Sequence, residues 1–261
     1  MPCKSFAESR RALLLASLSA AAAPALAQER AAAEARPWSM FGGDRGRIEG
    51  SGRVIDDERR LAGFDRLVVD GPLDVRVVAA ETDLVVVHAD ENVAPLIETS
   101  VKDGALLIGV RPGAAYRTRT RVQVRVRARQ VRGVVLRGSG QVRLDRVDVE
   151  VFEATLQGSG DVVVDALRAR VAAMSLAGSG DVRAAGTVGS LGVVVDGSGD
   201  VHCADLVAQQ VAVRIRGNGD ARVHATGELK VDIDGAGDVR YRGSPRIDKS
   251  VRGSGSVEPL R

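Results

Sequence analysis

Five aspartates recur at near-constant spacing through the C-terminal half of the chain: Asp161, Asp181, Asp200, Asp220 and Asp238. Clustered carboxylates hold hard cations such as Ca²⁺. If the residues between them form repeated circuits, the carboxylates stack one strand spacing apart, ~4.8 Å. Two bare carboxylates at that distance repel by roughly 3.5 kcal/mol at an effective dielectric of 20 and by about 1 kcal/mol in water. The row therefore needs positive charge. Two residues after four of these aspartates stand Arg183, His202, Arg222 and Arg240, on the same face of a strand and close enough to supply it. Aspartate also hydrogen-bonds turn backbone. These two facts favour a structural turn role over a metal site, and the nine-residue calcium-binding solenoid motif is absent.

A second constellation lies upstream, in the segment from Arg119 to Arg129. There Arg119, Arg121, Arg125, Arg127 and Arg129 share one side of an extended strand. A row of guanidinium forks suits carboxylates, sulfates and phosphates, which points to an anionic envelope polysaccharide or lipopolysaccharide as partner. The competing reading is a solvated face balanced by acids on adjacent strands, in a chain where arginine outnumbers lysine 33 to 4. Nucleic acid is disfavoured, because base-stacking aromatics are scarce (Phe 4, Tyr 2, Trp 1). Catalysis has little to build on. His88, His202 and His224 fall in separate segments with no nucleophile pattern near them. The recurring Gly-Ser-Gly-Asp lacks the Gly-x-Ser-x-Gly spacing of a nucleophile elbow. No cofactor motif is present, and the reading is of a non-enzyme.

What must position these residues is a repeat. A Gly-x-Gly corner recurs with its glycines at Gly138 and Gly140, Gly158 and Gly160, Gly178 and Gly180, and Gly197 and Gly199. It continues at Gly217 and Gly219, Gly235 and Gly237, and Gly253 and Gly255. The first glycines are 20, 20, 19, 20, 18 and 18 residues apart. Two residues before each stands Leu136, Leu156, Leu176, Val195, Ile215, Ile233 or Val251, and four after it Val142, Val162, Val182, Val201, Ala221, Val239 or Val257. Apolar residues alternate with polar ones between these positions, the period of strands with one buried face. Such a circuit cannot bury its apolar face alone, but stacked circuits form continuous internal ladders. The fold class is all-β: a single-stranded parallel β-helix, or solenoid, with ~18–20-residue coils. Just before the corners, Asp196, Arg216, Asp234 and Arg252 alternate in sign and predict an ion-pair ladder between coils.

Residues 50–135 are β-rich without the strict repeat, and serve as irregular first coils or as a cap. Candidate strands are Phe64 to Val69, Leu73 to Val78, Leu84 to His88, Ala105 to Val110 and Arg121 to Ala128. Asp70-Gly71-Pro72 and Lys102-Asp103-Gly104 read as hairpin-like turns. Regular repeats occupy 136–261, so 50–261 is one domain. Ahead of it, 28–49 reads as a linker, in which Trp38 and Phe41 stand alone.

Residues 1–27 read as an export signal: Lys4, Arg10 and Arg11, an apolar run from Ala12 to Ala23, then the small-residue box Ala25-Leu26-Ala27. Ser9-Arg10-Arg11-Ala12-Leu13-Leu14 also fits a twin-arginine signal, and both export routes stay open. No later stretch has the ~18 uninterrupted apolar residues of a membrane helix. Cys3 leaves with the signal, so Cys203 has no disulfide partner in the mature chain; it falls at an inward position. Oligomeric state has no signature.

Taken together, Gly63-Phe64-Asp65-Arg66-Leu67-Val68-Val69, Ala89-Asp90-Glu91-Asn92, Asp103-Gly104-Ala105-Leu106-Leu107-Ile108, the Gly-Ser-Gly corners and Tyr241-Arg242-Gly243-Ser244-Pro245 resemble the head GIN-domain family of putative auto-transporter adhesins. The resemblance spans roughly Gly50 to Pro259 and implies a bacterial envelope protein, in the periplasm or on the surface of a Gram-negative cell. It implies a binding or adhesion module and transfers no catalytic or ligand residues. No translocator barrel is evident in the sequence. A purely structural envelope scaffold is the alternative. A polysaccharide lyase acting on acidic sugars is the enzyme rival, but short uniform coils leave no long loops to wall a cleft.

Overall fold

The computed structural model describes residues 47–260. The export segment and linker residues up to 46, with Trp38, Phe41 and Cys3, lie outside the described residues. The irregular part contains β1 (Ile48–Glu49), β2 (Val54–Arg59), β3 (Arg66–Asp70), β4 (Asp74–Ala79), β5 (Leu84–Asp90), a 3-10 turn (Ala94–Leu96), β6 (Ile97–Lys102), β7 (Ala105–Val110), β8 (Tyr116–Arg117) and β9 (Gln123–Ala128). The repeats contain β10 (Gly133–Gly138), β11 (Gln141–Leu144), β12 (Val147–Gly158), β13 (Asp161–Gly178), β14 (Asp181–Gly197), β15 (Val201–Gly217), β16 (Ala221–Gly235), β17 (Val239–Arg242), β18 (Arg246–Gly253) and β19 (Val257–Pro259). From β10 to β19 every pairing is parallel, each coil on the next: a β-solenoid.

The Gly-x-Gly corner sets the register. Gly178 has a φ of 138°, and its carbonyl oxygen accepts two N–H groups from the following coil, Ser198 at 2.9 Å and Gly199 at 3.1 Å. The same pair of bonds recurs below, where the Gly158 carbonyl accepts from Ser179 (2.9 Å) and Gly180 (3.3 Å). A Cβ on Gly180 would run into the Gly160 carbonyl oxygen. Backbone thus stacks on backbone, and only glycine fits.

Inside, one ladder runs Ile108, Val69, Leu136, Leu156, Leu176, Val195, Ile215, Ile233, all buried and in register. Burying each such side chain contributes about 1.5–3 kcal/mol. The 18- and 19-residue coils keep both corner strands in register and absorb their missing residues elsewhere. Register slips fall between Val164 and Leu167, Arg183 and Ala185, and Cys203 and Val207. Cys203 is buried as expected, and burial pushes its thiol pKa up to about 12. At the last described coil the ladder ends on Ile247 and Val251, both 38% exposed, with Lys249 in register with buried Val231. A charge at an inward position blunts an open edge.

The irregular part is both first coil and cap. β3 and β4 lie parallel and in register beneath β10 and β11, so Asp70-Gly71-Pro72 is the first solenoid corner and not a hairpin turn. Lys102-Asp103-Gly104 does close a hairpin between β6 and β7, with positive φ at Asp103 (51°) and Gly104 (74°), as a two-residue turn of that hand requires. β7 and β9 lie parallel on β3 and β4, and antiparallel β2, β5 and β6 cover them. Alternation in β2 and β6 escaped the sequence reading because their inner faces are short and half-exposed.

The corner geometry predicts that Gly180→Ala lowers stability by roughly 3 kcal/mol or more, while Ser179→Ala, at the exposed middle position, changes it by about 0.5 kcal/mol or less. Urea unfolding followed by circular dichroism reads both; equal effects would contradict the stacked-backbone account.

Candidate functional site

The aspartate row forms beside the corners, and the carboxylates of Asp200, Asp220 and Asp238 are engaged with backbone. Asp200 Oδ1 accepts the N–H of Asp220 at 3.0 Å, and Asp220 Oδ1 that of Asp238 at 2.9 Å. Asp238 Oδ1 takes both the N–H and the hydroxyl of Ser256, each at 2.9 Å. These three carboxylates thus cap the next coil. The arginines two residues on supply charge: Arg183 lies 2.6 Å from Asp181, and Arg240 3.5 Å from Asp238. Asp161, in register with Asp181, stands at the start of the row. Among the described residues, Asp181, Asp200 and His202 place ligand atoms within 4.8 Å of one another. The Arg183 guanidinium already occupies the Asp181 carboxylate there. The sign-alternating residues also stack: Arg216 pairs with Asp196 at 3.7 Å, but Arg252 turns to Asp232, 3.4 Å away, instead of Asp234.

The arginine stripe is broken up. β9 begins at Gln123, so Arg119 and Arg121 precede the strand, and Arg129 follows it. Arg121 is ion-paired with Asp74, which raises its pKa. Arg129 is tied to the 81–83 turn, its Nε donating to the Glu81 carbonyl at 2.6 Å and its N–H to Asp83 at 3.2 Å. Arg125 and Arg127 remain on the exposed face of β9, alternating with buried Val124 and Val126. Arg125 makes one long bond, 3.5 Å, to Gln123, and neither has an acidic partner among the described residues. In register with Arg127 are Val78 and Leu84, and with Arg125 are Arg76 and Val86. Two adjacent guanidiniums therefore project from a rigid sheet beside an apolar margin, a geometry that accepts an anion with several oxygens.

Nearby groups were not legible in the sequence. Arg76 and Arg143 are clamped by Asp145 (3.0 Å) and Asp165 (2.7 Å) on neighbouring coils. His88 Nδ1 lies 2.6 Å from Asp56 Oδ1. Asp90 is the buried charge of the cap: Thr118 donates to it at 2.5 Å and Thr120 at 2.7 Å, locking the segment ahead of β9. The Thr118 hydroxyl above all, then Thr120, holds the Asp90 carboxyl below its ordinary pKa, against burial. Gly50 is needed here, since a Cβ would strike that carboxylate. No helix among the described residues is long and apolar enough to cross a membrane.

The family described as putative auto-transporter adhesin, head GIN domain, matches the chain over residues 63–245. Among solved structures, a putative adhesin from Bacteroides fragilis NCTC 9343 is similar with a TM-score of 0.77 at 20% identity, covering 82% of this chain and 100% of that one. A putative adhesin from Parabacteroides distasonis ATCC 8503 has a TM-score of 0.70 at 26% identity over 82% of this chain and 100% of its own. A protein from the same strain described as a putative lipid binding protein has 0.67 and 26%, over 83% and 100%. No curated protein matches.

Asp200→Ala is expected to cost about 1 kcal/mol through the lost cap, with thermal stability unmoved by added Ca²⁺ or by chelator; calcium-dependent stabilisation of the unsubstituted protein would instead assign the row to a cation. For Asp90 the sign follows from its depressed pKa. Its ionised contacts stabilise the fold above the ordinary value of 3.8 and are lost as pH falls through the lower folded value. A Thr118→Val, Thr120→Val variant should melt several degrees lower at neutral pH, and the gap should narrow only as the pH falls below 3.8; a pH-independent gap would contradict this.

Proposed function

Because the chain belongs to the putative auto-transporter adhesin, head GIN domain family, we propose that it is an exported cell-envelope binding module without catalytic activity, which contacts anionic glycans through Arg125 and Arg127. The observation that carries this reading is the pair of guanidiniums on β9 with no acidic partner among the described residues, beside Val78, Leu84 and Val86. The aspartate row and the sign-alternating row are partly neutralised by their own ion pairs and offer a ligand less. A lyase on acidic sugars would need a walled cleft, and uniform coils supply none. The anionic headgroup of lipopolysaccharide is a second candidate, supported by the similar structure that is described as a putative lipid binding protein. A scaffold with no ligand is the rival, supported by the same partly neutralised rows.

The test is a salt-dependent binding screen of the protein against acidic polysaccharides and lipopolysaccharide. An Arg125→Ala, Arg127→Ala variant should lose about tenfold in affinity, whereas Arg121→Ala, which lies ahead of β9 and outside its exposed face, should bind as before. Equal, weak binding by all three proteins would leave the scaffold reading standing. Time-dependent shortening of the glycan would make the protein an enzyme.

A further inference from the structure

Resting on that reading, we infer that the ligand lies across the strands, along the solenoid axis, and that it is a linear polysaccharide with a carboxylate on successive sugars. The inference comes from three arginines in direct register on three neighbouring strands: Arg125 on β9, Arg76 on β4 and Arg143 on β11. Like charges directly opposite one another are destabilising, and one strand step separates each pair by ~4.8 Å. Two of the three are clamped by an acid. Arg76 is held by both oxygens of Asp145 (3.1, 3.3 and 3.0 Å) and Arg143 by both of Asp165 (2.7 and 2.9 Å). Arg125 has none. The row thus carries three cations against two anions, with the unmatched charge at the cap end.

Its limits are set by uncharged residues. The next residue after Arg143 is Val163, and the one beyond Arg125 is Val86. Arg76 and Arg143 remain about half exposed, at 53% and 50%, so their outer N–H groups are open to a ligand while the aspartates hold the forks in place. A single headgroup could satisfy Arg125 and Arg127 along one strand. Only an anion repeated at a spacing comparable with the strand separation engages the axial three, and a uronan carries one carboxylate per ring.

The experiment compares galacturonate monomer, dimer, trimer and longer oligomers by calorimetry at low salt, using the full protein and folded variants verified by circular dichroism. Affinity should rise about tenfold or more from monomer to trimer, as linked sites require. Arg76→Gln and Arg143→Gln should each weaken the trimer about three- to tenfold. Asp145→Asn, which releases Arg76 from its internal partner, should tighten binding, an effect that a merely destabilised fold would not give. Loss in Arg125→Gln and Arg127→Gln with no change in Arg76→Gln, Arg143→Gln or Asp145→Asn would overturn the axial site and leave the β9 pair intact. Monomer binding as tight as trimer would also overturn it. Tighter capture by phosphatidylglycerol vesicles through the same three arginines would replace the polysaccharide with a lipid surface. No binding by the unsubstituted protein to any probe would remove both readings.

Discussion

Everything in this molecule depends on one backbone carbonyl accepting two N–H groups from the coil above. At the corner, the first glycine offers its oxygen to the middle residue of the next and, at every stacked corner except that of Gly217, to its second glycine as well. That bifurcated contact brings chain against chain at a distance no Cβ tolerates. Once the corners are stacked, the flanking strands have no freedom of register, and the Leu, Ile and Val ladder follows. Variation in coil length is consequently taken up beyond the short strand that follows each corner, where the register slips fall.

Fixed register has an electrostatic consequence. In a parallel solenoid each residue faces its own equivalent, so any charge written into the repeat is written opposite itself. The aspartate row meets this by turning the carboxylates of Asp200, Asp220 and Asp238 into acceptors for the next coil's N–H and by pairing Asp181 and Asp238 laterally with the arginines two residues on. Alternating signs between coils, as at Asp196 and Arg216, meet it another way. The repeats therefore consume part of their own charge, at Asp181, Asp196 and Asp238 among others.

The repeat made the solenoid legible: spacing, alternation and the inner ladder are all periodic properties. Legibility stopped where periodicity did. Asp70-Gly71-Pro72 has hairpin chemistry but serves as a corner, because what decides between the two is whether its flanking strands find parallel partners sixty-odd residues later. The arginine segment shared a parity that suggested one face, yet β9 starts after Arg121, and Asp74 and the 81–83 turn claim two of its members. Asp90, Thr118 and Thr120 carry no spacing signal at all; they meet only because the cap folds one strand back on another. Arg76 and Arg143 were equally invisible as neighbours of Arg125 until the first coil had been placed.

The location of the candidate site follows from these constraints. Within the regular coils a substitution toward uncompensated charge is opposed both by its equivalents above and below and by the corner that forbids a shift of register. At the junction of cap and first coil the strands on either side differ in sequence and direction, so β9 has a parallel neighbour in β4 and an antiparallel one in β5. An arginine there faces Arg76 on one side and Val86 on the other, and no repeat obliges a counter-charge. Unspent charge can persist at that seam with the rigidity of the whole stack behind it, and a surface that is both fixed and incompletely neutralised is the physical requirement for holding an anion.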